Sequence, residues 1–118
     1  MAEQNCLFCK IVAGEIPAQL VYEDEAAVAF RDINPQAPVH VLVIPRAHVA
    51  SLADAESGGA DAETLGRLLH AAARVARAEG LEESGYRTVA NTGAGAGQSV
   101  FHLHLHVLGG RRLSWPPG

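Results

Sequence analysis

Residues 102–107 alternate histidine with aliphatic residues without a break, in the order His102, Leu103, His104, Leu105, His106 and Val107. Successive side chains of an extended strand point to opposite faces, so this period predicts a strand with three imidazoles on one face and three aliphatic side chains on the other. Apolar residues would fill the imidazole positions at a lower desolvation cost if packing were their only role. The alternation therefore indicates a functional strand.

The rest of the chain favours an α+β fold. A length of 118 residues suits one hydrophobic core, so we expect a single domain over residues 1–118. Short runs rich in β-branched or aromatic residues predict five strands, at 20–23, 27–31, 39–44, 87–91 and 101–108. Because the strands come in a run, an antiparallel sheet with one helix-covered face fits better than a repeated strand–helix–strand unit.

One long helix is predicted over residues 62–79, with Asp61 as its N-cap and Gly80 at its end. Apolar positions recur at intervals of three and four along it. The predicted inner stripe consists of Leu65, Leu68, Leu69, Ala72, Val75, Ala76 and Glu79.

Charge and hydropathy exclude several classes of partner. Nine basic against thirteen acidic residues give a net charge of −4, which offers no basic surface for nucleic acid or an anionic membrane. The longest apolar run, residues 39–45, is interrupted by His40 and is too short to span a bilayer. The first residues lack the features of a secretion signal, so we expect a cytoplasmic protein.

A glycine-rich segment, residues 91–99, comes directly before the histidine strand. Such a segment can be a plain hairpin connector, or its glycines can turn backbone N–H groups toward one point and form a nest for an anion. Beside imidazoles, the nest predicts a phosphoryl site. A neutral imidazole can attack phosphorus without a metal; the alternative is that the three histidines form a catalytic metal centre.

Cys6 and Cys9 are the only cysteines. They are too close in sequence to brace the fold by a disulfide, and the strand order does not fit a thioredoxin-like redox motif. Two thiolates at this spacing supply half of a tetrahedral zinc site. The alternative is that they are two small buried hydrophobic side chains.

Several segments together resemble the histidine triad (HIT) family, and within it the Hint branch. The resemblance lies in the histidine strand with its lead-in at 97–101, in residues 30–40 and 43–48, and in the tail at 108–118. It implies an α+β subunit with a five-stranded antiparallel sheet, one long helix and a short N-terminal helix, whose sheets join in a homodimer. It also implies hydrolysis of purine nucleoside phosphoramidates, such as adenylate linked to an amine or to lysine, with no cofactor needed for catalysis.

The resemblance further implies roles for individual residues. His104 would be the nucleophile that takes up the nucleotidyl group, His106 and Ser99 would contact the phosphate, and His40 and His102 would orient the nucleophile and assist proton transfer. Residues expected around the purine nucleotide are Phe8, Phe30, Asp32, Ile33, Asn34, Asn91, Gly97, Gln98, Ser99, Val100 and Trp115.

Two positions separate branches of the family. Relatives with Gln in place of the third histidine are nucleotidyl transferases, so His106 argues for a hydrolase. Hint members often carry Ser where this chain has Asn34, which affects the expected ribose contact.

Two further expectations come from the same resemblance. Cys6, Cys9, His48 and His102 would hold a structural zinc ion that pins the N-terminal segment, and the tail around Trp115 would dock near the site of the partner subunit. A nucleotide-binding regulatory protein with little turnover and a dinucleoside polyphosphate hydrolase are the alternative functions.

Overall fold

The computed structural model describes residues 5–118. In chain order its helices and strands are α1 (Leu7–Val12), β1 (Leu20–Glu23), β2 (Ala27–Arg31), β3 (Val39–Pro45), α2 (Leu52–Asp54) with a π-helical turn (Ala55–Gly59), α3 (Ala62–Ala78), β4 (Tyr86–Val89), a 3-10 turn (Ala94–Ala96) and β5 (Leu105–Gly109). No helix in this part of the chain combines the length and the apolar character needed to cross a membrane.

The five strands form one sheet in the order β1-β2-β3-β5-β4, and every neighbouring pair is antiparallel. The predicted α+β class with a five-stranded antiparallel sheet is therefore confirmed. β3 lies at the centre of the sheet, where a nearly continuous apolar sequence is buried on both faces. This position brings β3 beside β5, although more than 50 residues separate them in the chain.

Alternation along the strands divides the core into two clusters. Helix α3 covers one face of the sheet, where its buried side chains meet odd-numbered residues of β3 and β5, including Val41, Val43, Leu105 and Val107. Helix α1 lies on the other face, where Phe8 packs with Val28, Phe30, Leu42 and Ile44. His40 and His106 are even-numbered residues of these strands and share the α1 face.

Helix α3 matches the predicted helix closely. The Asp61 carboxylate accepts a hydrogen bond from the Thr64 N–H at 2.8 Å, and Gly80 follows the end with φ +75°, a conformation that favours glycine. The expectation for Leu69 was wrong, because its side chain is 56% exposed. Leu69 lies at the edge of the apolar stripe, and the buried face turns toward Ala71 instead.

β5 differs most from its prediction, because it begins at Leu105 and not at residue 101. The Leu103 N–H donates to the Val49 carbonyl at 2.7 Å, and the His102 imidazole donates to the Pro45 carbonyl at 2.8 Å. These bonds tie residues 102 and 103 to the last residue of β3 and to the segment after it, so the chain joins the sheet only at Leu105.

Candidate active site and metal-binding cluster

Three histidines meet on the α1 face of the sheet. Register pairs Leu42 with His106 and His40 with Leu108, which makes the two histidines diagonal neighbours on one face. The Nε2 of His40 lies 2.9 Å from the Nδ1 of His106, and the rings of His104 and His106 are 5.0 Å apart between centroids. Strands β3 and β5 thus hold His40 against His106, and His104, just before β5, lies beside His106.

Hydrogen bonds fix the tautomers of two of these rings. The Gln36 N–H donates to Nδ1 of His40 at 3.0 Å. A neutral His40 must then carry its proton on Nε2, and this N–H donates to Nδ1 of His106. A neutral His106 carries its own proton on Nε2, on the side of the ring away from His40. We call this chain of hydrogen bonds, from Gln36 through His40 to His106, the imidazole relay. Because His106 lines the adjacent cleft, the relay provides an N–H donor for a ligand there.

The carboxylate of Asp32 lies beside this relay. Its Oδ2 is 3.4 Å from the Nε2 of His40, and its Oδ1 accepts the Asn34 N–H at 2.8 Å. Burial lowers the pKa of His40, although the Asp32 charge acts in the opposite direction. Burial also lowers the pKa of His106 to about 4, with His104 and His40 adding to the effect and Asp32 opposing it. His106 is therefore neutral at pH 7.

We expect the stability of the protein to fall as the pH falls from about 6.5 toward about 4. His106 in the unfolded chain has a pKa near 6.5 and its folded value is lower, so the unfolded state binds more protons in this window. The free energy of unfolding should decrease by on the order of 1 kcal/mol per pH unit for this group. Urea unfolding at a series of pH values measures the slope.

His106→Gln is the variant that tests this dependence, and His70→Asn is its control, since His70 is an exposed residue of α3. The contribution of His102, whose pKa burial also lowers to about 4, is common to all three proteins. The expected slope is shallower in His106→Gln only. Parallel curves for this variant and the parent would contradict the role given to His106.

The orientation of His104 is fixed by the backbone. Its Nδ1 lies 2.7 Å from the carbonyl oxygen of His102. A carbonyl only accepts hydrogen bonds, so Nδ1 carries the proton and Nε2 of the neutral ring carries a lone pair. The edge-to-face contact with Phe8, at 5.2 Å between ring centroids, holds the ring from α1. His104 lines the same cleft as His106, so this cleft meets a nucleophilic nitrogen beside a donor.

The cleft has a volume of about 470 Å³, within the range of small-molecule sites. Of the residues expected around a nucleotide, it includes Phe8, Phe30, Asp32, Ile33, Ser99 and Val100. Most of the apolar wall was not predicted from the sequence: it comes from Leu7, Ile11, Ile16, Pro17, Ala18 and Leu42. The apolar residues of α1 were the available signal, but a helix of six residues is too short to show a clear period.

Other expected substrate residues lie differently. Gln98 is buried, and its amide donates to the carbonyls of Ala50 and Val100 and accepts the Gly93 N–H. It therefore holds the glycine-rich loop together. Asn34 is exposed, and Asn91 is half-buried beside Gly97, but neither lines the cleft. Trp115 is 81% exposed.

The predicted nest in the glycine-rich segment is wrong for the N–H groups at positions 96–98. Gly93 and Gly97 have positive φ values of 87° and 95°. However, the N–H groups of Ala96 and Gln98 donate to the Gly93 carbonyl, and that of Gly97 donates to the Ala94 carbonyl. The glycines close a compact turn whose own carbonyls use these donors. Ser99, just after the turn, is exposed and lines the cleft.

A second cluster joins Cys6, Cys9, His48 and His102, whose ligand atoms all lie within 4.8 Å of one another. The Nδ1 of His102 is 3.3 Å from the Cys6 sulfur and 3.5 Å from the Cys9 sulfur, and the Nδ1 of His48 is 3.4 Å from the Cys9 sulfur. In a tetrahedral zinc site, Zn–S and Zn–N bonds of about 2.3 and 2.0 Å separate sulfur from nitrogen by about 3.5 Å. These distances therefore fit zinc.

The protonation of His102 also suits a metal ligand. Its Nε2 donates to the Pro45 carbonyl, so the lone pair of the neutral ring is on Nδ1, facing the sulfurs. Burial lowers the pKa of His102 to about 4, although the bond to Pro45 acts in the opposite direction. A neutral imidazole is the form that binds metal. The side chain of His102 thus lies in the cysteine cluster, and its carbonyl accepts a hydrogen bond from His104.

Comparison with known proteins finds relatives that match most of the chain. The HIT domain family matches residues 13–113. A 14 kDa zinc-binding protein from Zea mays is 52% identical over 112 residues, which are 95% of this chain and 87% of that protein. The crystal structure of a HIT family hydrolase from Legionella pneumophila Philadelphia 1 is 55% identical, has a TM-score of 0.91, and aligns over 97% of this chain and 100% of its own.

A histidine triad nucleotide-binding protein from Candida albicans is similar at 34% identity and a TM-score of 0.79, over 87% of this chain and 73% of its own. The likeness extends through sequence and fold alike, and the family match includes the segment that carries His104 and His106. The chain therefore belongs to the HIT domain family.

Proposed function

We propose that this protein hydrolyses purine nucleoside phosphoramidates through a covalent nucleotidyl intermediate on His104. The observation that carries the proposal is the 2.7 Å bond from Nδ1 of His104 to the His102 carbonyl. This bond leaves a lone pair on Nε2 of a ring that lines the cleft. A nucleophile with a fixed tautomer needs no general base before it attacks.

In the first step, Nε2 of His104 attacks phosphorus and the P–N bond breaks. The departing nitrogen takes up one proton and leaves as an amine. We assign the Nε2–H of His106 as a hydrogen-bond donor to the phosphoryl oxygens, because its tautomer is set by His40. The proton that the leaving nitrogen takes up comes from solvent, so both imidazoles stay neutral. The hydroxyl of Ser99 is a second donor at the edge of the cleft.

In the second step, water attacks phosphorus and the bond to His104 breaks. The nucleoside monophosphate leaves, the water returns one proton, and the neutral imidazole is restored. Protons therefore balance over the cycle. A neutral relay suits this chemistry, since a second positive charge next to a phosphorylated imidazole would be unfavourable.

The nucleoside would occupy the apolar end of the cleft. Phe8, Phe30 and Leu42 offer a surface for the base, and we assign the Asp32 carboxylate, which lines the same cleft, to the ribose hydroxyls. Asp32 accepts the Asn34 N–H on Oδ1, and a carboxylate with two oxygens retains capacity for further donors. We also propose the homodimer, with Trp115 of one subunit near the cleft of the other.

The donor set argues against a catalytic metal at the histidines. Asp32, His40 and His106 offer ligand atoms within 4.8 Å of one another, but a metal on Nε2 of His40 would require that nitrogen's lone pair. The proton would then move to Nδ1, where the Gln36 N–H already donates. Cys6, Cys9, His48 and His102 suit the metal instead, and would supply a cross-link between α1 and the segments after β3 and before β5.

Turnover of a fluorogenic adenosine phosphoramidate tests the proposal. We expect release of the amine and of AMP, and samples quenched during turnover with denaturant at alkaline pH should gain the mass of one adenylyl group. Peptide mapping should place the adduct on His104. A regulatory nucleotide-binding protein would bind AMP without turnover, and an adduct on a different residue would refute the mechanism.

A further inference from the structure

Arg111, two residues after the end of β5, is hydrogen-bonded to the loop between β2 and β3. Its Nε and Nη2 donate to the carbonyl oxygen of Gln36 at 3.3 and 3.1 Å. Its Nη1 donates to the carbonyl of Arg112 at 3.0 Å. The planar guanidinium therefore bridges two backbone carbonyls, and one of them belongs to the loop that carries Asp32 and leads into His40.

Gln36 is the residue that sets the tautomer of His40. Its backbone N–H donates to Nδ1 of His40 at 3.0 Å, and its side-chain amide donates to the Asn34 carbonyl at 3.0 Å. The two backbone groups of Gln36 thus have different partners. Its N–H donates to His40, and its carbonyl accepts from Arg111.

Gly110, the residue before Arg111, allows the backbone to pass close to the loop between β2 and β3. Gly110 has φ +88°, and a Cβ at this position would lie 3.0 Å from the Cβ of Pro38. A residue with a side chain would be strained there and would meet the loop. The glycine lets the chain run directly against Pro38, which brings the guanidinium of Arg111 within reach of Gln36.

We propose that Arg111 is a positioning residue for the reaction: it holds Gln36 so that the Gln36 N–H keeps His40, and through it His106, in the tautomers that present an N–H to the cleft. The inference rests on the proposed function for its catalytic consequence. When Gln36 moves away, His40 can place its proton on Nδ1. His106 must then place its proton on Nδ1 to meet the lone pair of His40, and the cleft loses its donor.

The effect should be partial, because Asp32 favours the same tautomer as Gln36. The carboxylate Oδ2 lies 3.4 Å from Nε2 of His40 and disfavours a lone pair at that nitrogen. For Arg111→Gln we therefore expect a roughly tenfold fall in kcat with KM changed by less than about twofold.

The experiment compares three variants with the parent: Arg111→Gln, Arg111→Lys and Arg112→Gln. Arg112 is the matched control, since it is an exposed neighbour with the same charge, and its substitution keeps the carbonyl that Arg111 uses. Lysine keeps the charge but not the two-pronged donor, so Arg111→Lys should restore little of the lost kcat. Ring ¹⁵N chemical shifts report the tautomers of His40 and His106 directly.

The expected result is a shift of both ring tautomers and a lower kcat in Arg111→Gln, with Arg112→Gln like the parent. Unchanged tautomers in Arg111→Gln, or equal changes in both glutamine variants, would overturn the inference. A merely structural role would lower the melting temperature without moving the tautomers, and would also overturn it. If the parent itself shows no turnover, the proposed function fails, and the ring shifts still decide the role of Arg111.

Discussion

His104→Asn should lower kcat for an adenosine phosphoramidate by on the order of 10⁴-fold or more, because it removes the nitrogen that attacks phosphorus. Asparagine keeps a side-chain N–H that can donate toward the His102 carbonyl, but the lone pair of its amide nitrogen is delocalised into the C=O and is not nucleophilic. The affinity for AMP should change by less than about tenfold, since the apolar cleft and Asp32 remain. Turnover assays and titration calorimetry measure the two quantities, and the adenylyl adduct should disappear.

His70→Asn is the control for this variant. The same chemical change is made on an exposed face of α3, away from the cleft, and both turnover and adduct should match the parent. Residual activity of His104→Asn near the parent level would remove the covalent mechanism. Loss of AMP binding together with turnover, at an unchanged melting temperature, would assign His104 to ground-state binding instead.

The period of two correctly predicted that His104 and His106 face the same way, but it was wrong for His102. His106 lies on β5 and shares its face with His40, as the alternation requires. His102 leaves the pattern, because residues 102 and 103 bond to Pro45 and Val49. A strand pattern does not reveal where a long-range partner ends the strand, so the sequence could not separate His102 from His104 by its spacing alone.

His40 illustrates a second limit. The residues around His40 do not distinguish a functional histidine from a buried one whose hydrogen bonds are all made. Only the family resemblance indicated a role for His40. Its contact with His106 depends on the placement of β5 between β3 and β4. Such non-sequential pairing is decided by packing of the whole sheet, which local patterns do not encode.

The glycine-rich segment shows why composition is ambiguous in loops. Glycine predicts positive φ angles, and Gly93 and Gly97 have them. The direction of the N–H groups depends on nearby acceptors, and here the carbonyls of Gly93 and Ala94 take them. The buried amide of Gln98 completes the turn. Helix α3, in contrast, carries its cap, its period and its stop in its own residues, and the prediction of its bounds was correct to within one residue.

For the metal-binding cluster, spacing in the sequence predicted two of the four ligands, Cys6 and Cys9, and only the family resemblance indicated the two histidines. Cys6 and Cys9 are adjacent on the first turn of α1, where the Cys6 sulfur also accepts the Cys9 N–H. The two histidines come from the segment after β3 and the segment before β5. A metal held there would cross-link three distant parts of the chain. We therefore expect it to raise the free energy of unfolding by more than the packing of the four side chains alone.

Removal of zinc by a strong chelator should therefore lower the melting temperature by on the order of 10–20 °C, which corresponds to several kcal/mol of lost binding free energy. His48→Asn and Cys9→Ser should show a melting temperature near that of the chelated parent, with little further change on chelation. His70→Asn should keep the full response. Scanning calorimetry together with a metal analysis of the purified protein measures both effects, and a parent that holds no zinc or does not respond to chelation would contradict the site.

Turnover below the melting temperature should survive the same treatment to within about tenfold. The carbonyl of His102 that holds His104 has supports that do not involve the metal, because the His102 imidazole donates to Pro45 and the neighbouring Leu103 N–H donates to Val49. The nucleophile should then keep its tautomer while α1 loosens. If hydrolysis stops at once on chelation of a protein that calorimetry shows to be still folded, the metal takes part in the chemistry and the division between the two clusters is wrong.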